Sequence, residues 1–133
     1  MTTMTNKEML EFAARAAGIE IDKSTTNGGG AGNDGFDLLG RVVVDWHNSE
    51  YWDPRKDSGN SFDLAAKLGI CIEHDSSIQV EYTEEMGGEY ELGVHAWVVK
   101  DDLIEAKEIY GDDRCDTARL AVLRVAAEIG KRL

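Results

Sequence analysis

Lysine and arginine are scarce through one long part of this chain. Residues 73–116 hold 14 acids and only 3 bases, a net charge of −11. Non-specific affinity for nucleic acid comes mainly from basic side chains that neutralise phosphates. Direct DNA or RNA binding is therefore disfavoured, and so is docking on an anionic membrane. Cysteine is also scarce. Cys71 and Cys115 are the only two, far apart in sequence. The opening residues lack a basic start and an apolar run, which argues against a secretory signal. Two free thiols in a reducing cytoplasm are then expected. No apolar run approaches the roughly 18–20 residues that a membrane-spanning helix needs. There are no internal repeats, and the single proline is Pro54.

Several catalytic and cofactor signatures are missing too. No G-K-[ST] follows a glycine-rich loop, so a P-loop is excluded. Gly30-Ala31-Gly32-Asn33-Asp34-Gly35 matches G-x-G-x-x-G literally. However, Phe36–Val42 looks like strand rather than the helix that must hold a pyrophosphate, and Asp34 would repel phosphate. No serine lies in a G-x-S-x-G elbow. Cys115 opens the last helix, but Asp112, Asp113 and Asp116 oppose its thiolate. Cys71 and His74 have C-x-x-H spacing, but in a strand they would point to opposite faces and could not chelate one ion. A buried Cys71 and a surface His74 are expected. No cofactor, no metal site and no catalytic residue are assigned.

What is present is an ordinary globular composition. The 133 residues are 42% hydrophobic and 30% charged, with a net charge of −12. A chain of this length buries roughly two-thirds of its unfolded surface, so one domain spanning residues 1–133 can fold unaided. Thr5–Ala17 is expected to be a helix, with Thr5 and Glu8 as a capping box and Gly18 at the C-cap. Ile19–Asp22 alternates like a short strand. Residues 23–35 form a glycine-rich loop, expected to be mobile. Phe36–Trp46 follows as strand, with Gly40 at a bulge.

A second polar connection, residues 47–60, precedes a helix at Ser61–Leu68. Asn60 or Ser61 caps that helix, and Phe62, Leu64, Ala65 and Leu68 form its buried side. Ile70–His74, Ser77–Thr83 and Tyr90–Val99 look like an antiparallel meander, turning at Asp75-Ser76 and at Glu85–Gly88. Asp101–Tyr110 is an acidic link that holds at most a helical turn. Asp112 or Asp113 caps a long last helix, with Ala118, Ala121, Val122, Val125, Ala126 and Ile129 at helical spacing. The expected fold class is α+β, a small mostly antiparallel sheet covered by the N- and C-terminal helices.

The run from Trp52 through Asp53-Pro54-Arg55-Lys56-Asp57-Ser58-Gly59-Asn60 to Leu64-Ala65-Ala66-Lys67-Leu68-Gly69 resembles a motif of small phage and prophage proteins of unknown function. Their motif is W-N-P-x-x-D-D-G-D-A-x-x-L-A-x-K-L-G. The ending Ala118–Gly130 is similar to their A-x-x-A-I-V-R-A-A-A-E-I-G close, and Ala16-Ala17-Gly18 to their A-A-G opening. A more distant likeness is to the NinX-like proteins of lambdoid phages. The resemblance implies a phage or prophage origin and a bacterial cytoplasm, and it carries no activity.

The leading expectation is a non-enzymatic accessory protein that binds a host or phage protein. The acids Glu84, Glu85, Glu89, Glu91, Asp101 and Asp102 form the candidate contact, a candidate nucleic-acid mimic, joined by Tyr51 and His47 from the aromatic connection. The alternative is a small-ligand binder or enzyme using the glycine-rich loop and the Trp46–Trp52 connection. A third reading is a homodimerising module.

Overall fold

A computed structural model gives the fold. It describes residues 3–23, 34–83 and 87–133, without the side chains of 81–83 and 87. The described residues form an α+β architecture: three helices with a two-stranded and a three-stranded antiparallel sheet. Helices α1 (Asn6–Ala17), α2 (Ser58–Leu68) and α3 (Arg114–Lys131) alternate with strands β1 (Val42–Asp45), β2 (Glu50–Trp52), β3 (Cys71–Thr83), β4 (Gly87–Val99) and β5 (Leu103–Ile109). Strands β1 and β2 form one hairpin, and the second sheet has the order β3-β4-β5.

Helix α3 is the centre of the molecule. It packs against α1 and α2 and against β4 and β5. Burial follows from this. Leu123 and Ala127 are buried along with the expected stripe of Ala121, Val122, Val125, Ala126 and Ile129. A helix covered on more than one side is apolar around more of its circumference than a surface helix. Its seam with α1 is made of small residues. Ala13, Ala14 and Ala17 are buried on α1, and a Cβ on Gly130 would stand 1.7 Å from the Phe12 carbonyl oxygen.

The helix ends follow local chemistry. Thr5 and Glu8 make a complete capping box, and Gly18 ends α1 in the left-handed conformation. Asp113 caps α3 by accepting from the amides of Cys115 and Asp116.

Several local expectations are corrected. Ile19–Asp22 forms no strand, although the Asp22 amide donates to the Val43 carbonyl at 2.8 Å. Phe36–Trp46 is not one strand. Phe36 bridges to Val42 across a tight turn in which Gly40 has φ +78° and Leu38 and Leu39 face solvent. The Asp37 carboxylate builds that turn by accepting from the Leu39 and Arg41 amides.

Helix α2 starts three residues early, at Ser58, because Asp57 is its cap, and Phe62 lies on its exposed side. Asp75-Ser76 is not a turn. Strand β3 runs through it with a register shift, and Asp75 takes φ +56°. Finally, the acidic link is strand β5, with Ile104 and Ala106 alternating inward. Cys71 also departs from expectation. It is exposed, because its in-register partner Trp97 lies on the opposite face from the buried Val94, Ala96 and Val98. The glycine-rich segment lies outside the described residues except for Lys23, Asp34 and Gly35.

Candidate functional site

The expected contact residues do not share one place. Glu84 and Glu85 lie outside the described residues. Glu89 and Glu91 are exposed near the start of β4. Asp101 and Asp102 are exposed in the turn after its end, roughly 30 Å further along an extended strand. Tyr51 and His47 belong to the separate β1–β2 hairpin. Two distinct features result, an acidic ribbon and a cleft lined by charges of both signs.

The ribbon arises from unequal strand lengths. Strand β5 pairs with β4 only as far as Gly93, with one further bond from the Tyr110 amide to the Leu92 carbonyl. Beyond that point β3 and β4 continue as a pair on their own, through Ile78↔Glu91 and Gln79↔Tyr90 to Thr83↔Gly87. Residues 68–99 contain seven acids and no lysine or arginine.

Strand alternation splits the ribbon into two faces. Glu89 and Glu91 share one face. Tyr90 and Leu92 continue the face that carries Val94, Ala96 and Val98 into the core, but where the ribbon outruns the helical layer they are 62% and 53% exposed.

The ribbon base is pinned by a group the sequence reading passed over. The Tyr110 hydroxyl lies 2.9 Å from His74 Nδ1, accepts from the Asp75 amide at 2.9 Å and accepts from Arg114 Nη2 at 2.8 Å. The Arg114 guanidinium also lies over the Tyr110 ring and pairs with Asp75. The Tyr110 hydrogen bond, helped by Asp75, raises the pKa of Arg114. The signal in sequence was Asp75 itself, a residue tolerant of positive φ inside a strand pattern.

The cleft is built by residues that precede the acidic stretch in sequence. It encloses about 500 Å³ between Leu39, Arg41, Tyr51, Arg55, Lys56 and Asn60, with Asp53 and Asp57 also on its wall. The motif Trp52–Asn60 builds it. Asp53 is buried and receives a two-pronged contact, from Arg55 Nε at 2.8 Å and Nη2 at 3.1 Å. Its amide donates to the Asn60 side chain at 3.0 Å. Arg55 Nη2 also reaches the Gly40 carbonyl, which ties the cleft to the β1 turn.

Arg119 of α3 donates to the Arg55 carbonyl and to Ser58 Oγ. Across the hairpin, the Arg41 guanidinium lies 4.0 Å from the Tyr51 ring centroid and pairs with Asp37 at 2.6 Å. Trp52 itself is buried in the core. His47 is exposed in the hairpin turn and does not line the cleft. Among the described residues, no three His, Cys, Asp or Glu side chains converge as metal ligands.

Burial works against the charge of Asp37, but its bonds from Arg41 and the amides of Arg41 and Leu39 outweigh it and hold the carboxyl below the usual range. A depressed folded-state pKa contributes stability above the unfolded value and loses it as pH falls through the folded one. The urea midpoint of the wild type should therefore drop more than that of Asp37→Asn between about pH 5 and pH 3. Equal drops would show that this turn does not depend on the ionised carboxylate.

No protein-family model, curated protein or solved structure matches the chain. Among the described residues no helix is long and apolar enough to cross a membrane.

Proposed function

We propose that this chain is a non-enzymatic accessory protein of phage or prophage type that works in a bacterial cytoplasm by binding a protein partner with a basic surface. The contact is the β3–β4 ribbon. One observation carries the reading: where β3 and β4 outrun β5, Glu89 and Glu91 lie on one face of β4 and the uncovered Tyr90 and Leu92 on the other. Solvated acids alone serve solubility. Tyr90 and Leu92 do not serve it. Exposed aromatic and aliphatic groups beside charge of one sign suit an interface in which charge steers the encounter and apolar contact holds it.

Glu89, Tyr90, Glu91 and Leu92 are the contact residues in this reading, and Asp101, Asp102 and His47 are bystanders. The resemblance of the Trp52–Gly69 and Ala118–Gly130 segments to phage proteins supports the origin.

Capture from bacterial lysate on the immobilised chain tests the proposal. One stoichiometric partner should be retained at about 0.05 M salt and largely released at about 0.3 M, where screening shortens the reach of exposed charges. A partner held equally at both ionic strengths, or no stoichiometric partner, would count against it.

A further inference from the structure

We propose that the cleft between the β1–β2 hairpin and the start of α2 binds a small organic phosphate of about nucleoside-monophosphate size. The inference is independent of the ribbon. In a chain of net charge −12, three cations, Arg41, Arg55 and Lys56, meet at this concavity, whose wall also carries Asp53 and Asp57. Two are held from behind. Arg41 gives Nε and Nη2 to Asp37. Arg55 gives Nε and Nη2 to Asp53 and the Gly40 carbonyl. In each guanidinium, Nη1 has no protein acceptor among the described residues, and Lys56 Nζ has no ion-pair partner there. The carboxylates behind them fix two forks in place, so little side-chain freedom is lost when a ligand arrives.

The donors stand on two segments: Arg41 immediately before β1, and the adjacent Arg55 and Lys56 in the turn after Pro54. A planar carboxylate is satisfied by one arginine fork. A tetrahedral phosphate, with more oxygens and more charge, takes donors from several directions. Three cations brought together from two segments therefore favour phosphate. The volume of about 500 Å³ lies within the usual range for small-molecule sites and leaves room for more than an inorganic ion. Tyr51 and the solvent-facing Leu39 give the rest of the ligand an apolar wall. Asp57 uses Oδ1 to cap α2, and its other oxygen can accept from a ligand hydroxyl or amino group.

The test is a titration of the ¹⁵N-labelled full chain with adenosine 5′-monophosphate, adenosine and inorganic phosphate. The monophosphate should shift the resonances of Arg41, Tyr51, Arg55 and Lys56 and saturate below about 10 mM. Adenosine and inorganic phosphate should each bind at least about tenfold more weakly, because each lacks one half of the recognised chemistry. Lys56→Ala removes an exposed side chain, and it should weaken the monophosphate about tenfold, as loss of one charge-assisted contact does. No saturable shift at these residues, shifts confined to other surfaces, equal binding of phosphate and monophosphate, or unchanged binding by Lys56→Ala would each overturn the assignment.

Discussion

Gly130→Ala should lower the folding stability of the chain by roughly 3 kcal/mol, the upper end of the usual cost of overpacking. The added Cβ would stand 1.7 Å from the Phe12 carbonyl oxygen and 2.5 Å from its carbonyl carbon. Both are backbone atoms of a neighbouring helix, so no side chain can rotate away. Relief requires α1 to move off α3 as a body. That movement would open the seam where Ala13, Ala14, Ala17, Ala126 and Ala127 are buried. Small residues there give little volume with which to refill a gap.

Gly111→Ala is the matched control, because a Cβ at Gly111 meets nothing within 4 Å. Urea denaturation of both variants checks the expectation. A Gly130→Ala midpoint equal to that of Gly111→Ala would mean that the helices are not in contact at this point.

Asp53→Ala should cost a comparable amount, roughly 3 kcal/mol, because removing one partner of a buried ion pair strands the other. The Asp53 side chain is 8% exposed and that of Arg55 is 22% exposed, so solvent can reach the arginine and discounts the loss only in part. Arg55 would keep its bonds to the Leu39 and Gly40 carbonyls but lose both carboxylate contacts. The damage should spread, because the Arg55 carbonyl is also the acceptor for Arg119 of α3. Amide exchange in Ser58–Leu68 should speed up together with that of the Arg41 turn. Loss confined to residues 53–55 would show that the motif does not couple the hairpin to α2 and α3.

The two terminal helices were legible because their signals are local. A capping box, a C-cap glycine and a 3.6-residue apolar period need no knowledge of the rest of the chain. Strand β5 was illegible for the opposite reason. Leu103-Ile104-Glu105-Ala106-Lys107-Glu108-Ile109 contains Glu, Ala and Lys, which disfavour strand, and only Ile104 and Ala106 turn inward. Pairing with β4 decides its conformation, and that is a tertiary effect. Asp75 misled for a related reason. A residue suited to positive φ ends a strand or bulges it, and the Tyr110 hydroxyl 35 residues away selects the bulge. Leu38 and Leu39 read as strand interior, while their neighbours Asp37 and Gly40 were the ones that set the backbone.

The candidate sites were legible in composition but not in geometry. The excess of acid between residues 73 and 116 was plain, yet nothing local says that β5 stops short and leaves Tyr90 and Leu92 uncovered. The motif Trp52–Asn60 pointed to the right segment. The Leu39 and Gly40 carbonyls it meets, and the cleft residue Arg41, lie across a turn that the expected long strand had concealed.

The most direct test of the ribbon as the contact separates place from net charge. Glu89→Lys/Glu91→Lys and Asp101→Lys/Asp102→Lys change the chain's charge equally, at opposite ends of β4. Titration calorimetry of each with the captured partner, at one fixed ionic strength, compares them with the wild type. The ribbon pair should weaken binding at least about tenfold and the turn pair no more than about twofold, since position as well as sign sets complementarity. Equal losses from both pairs, or a larger loss from the turn pair, would contradict the ribbon as the contact.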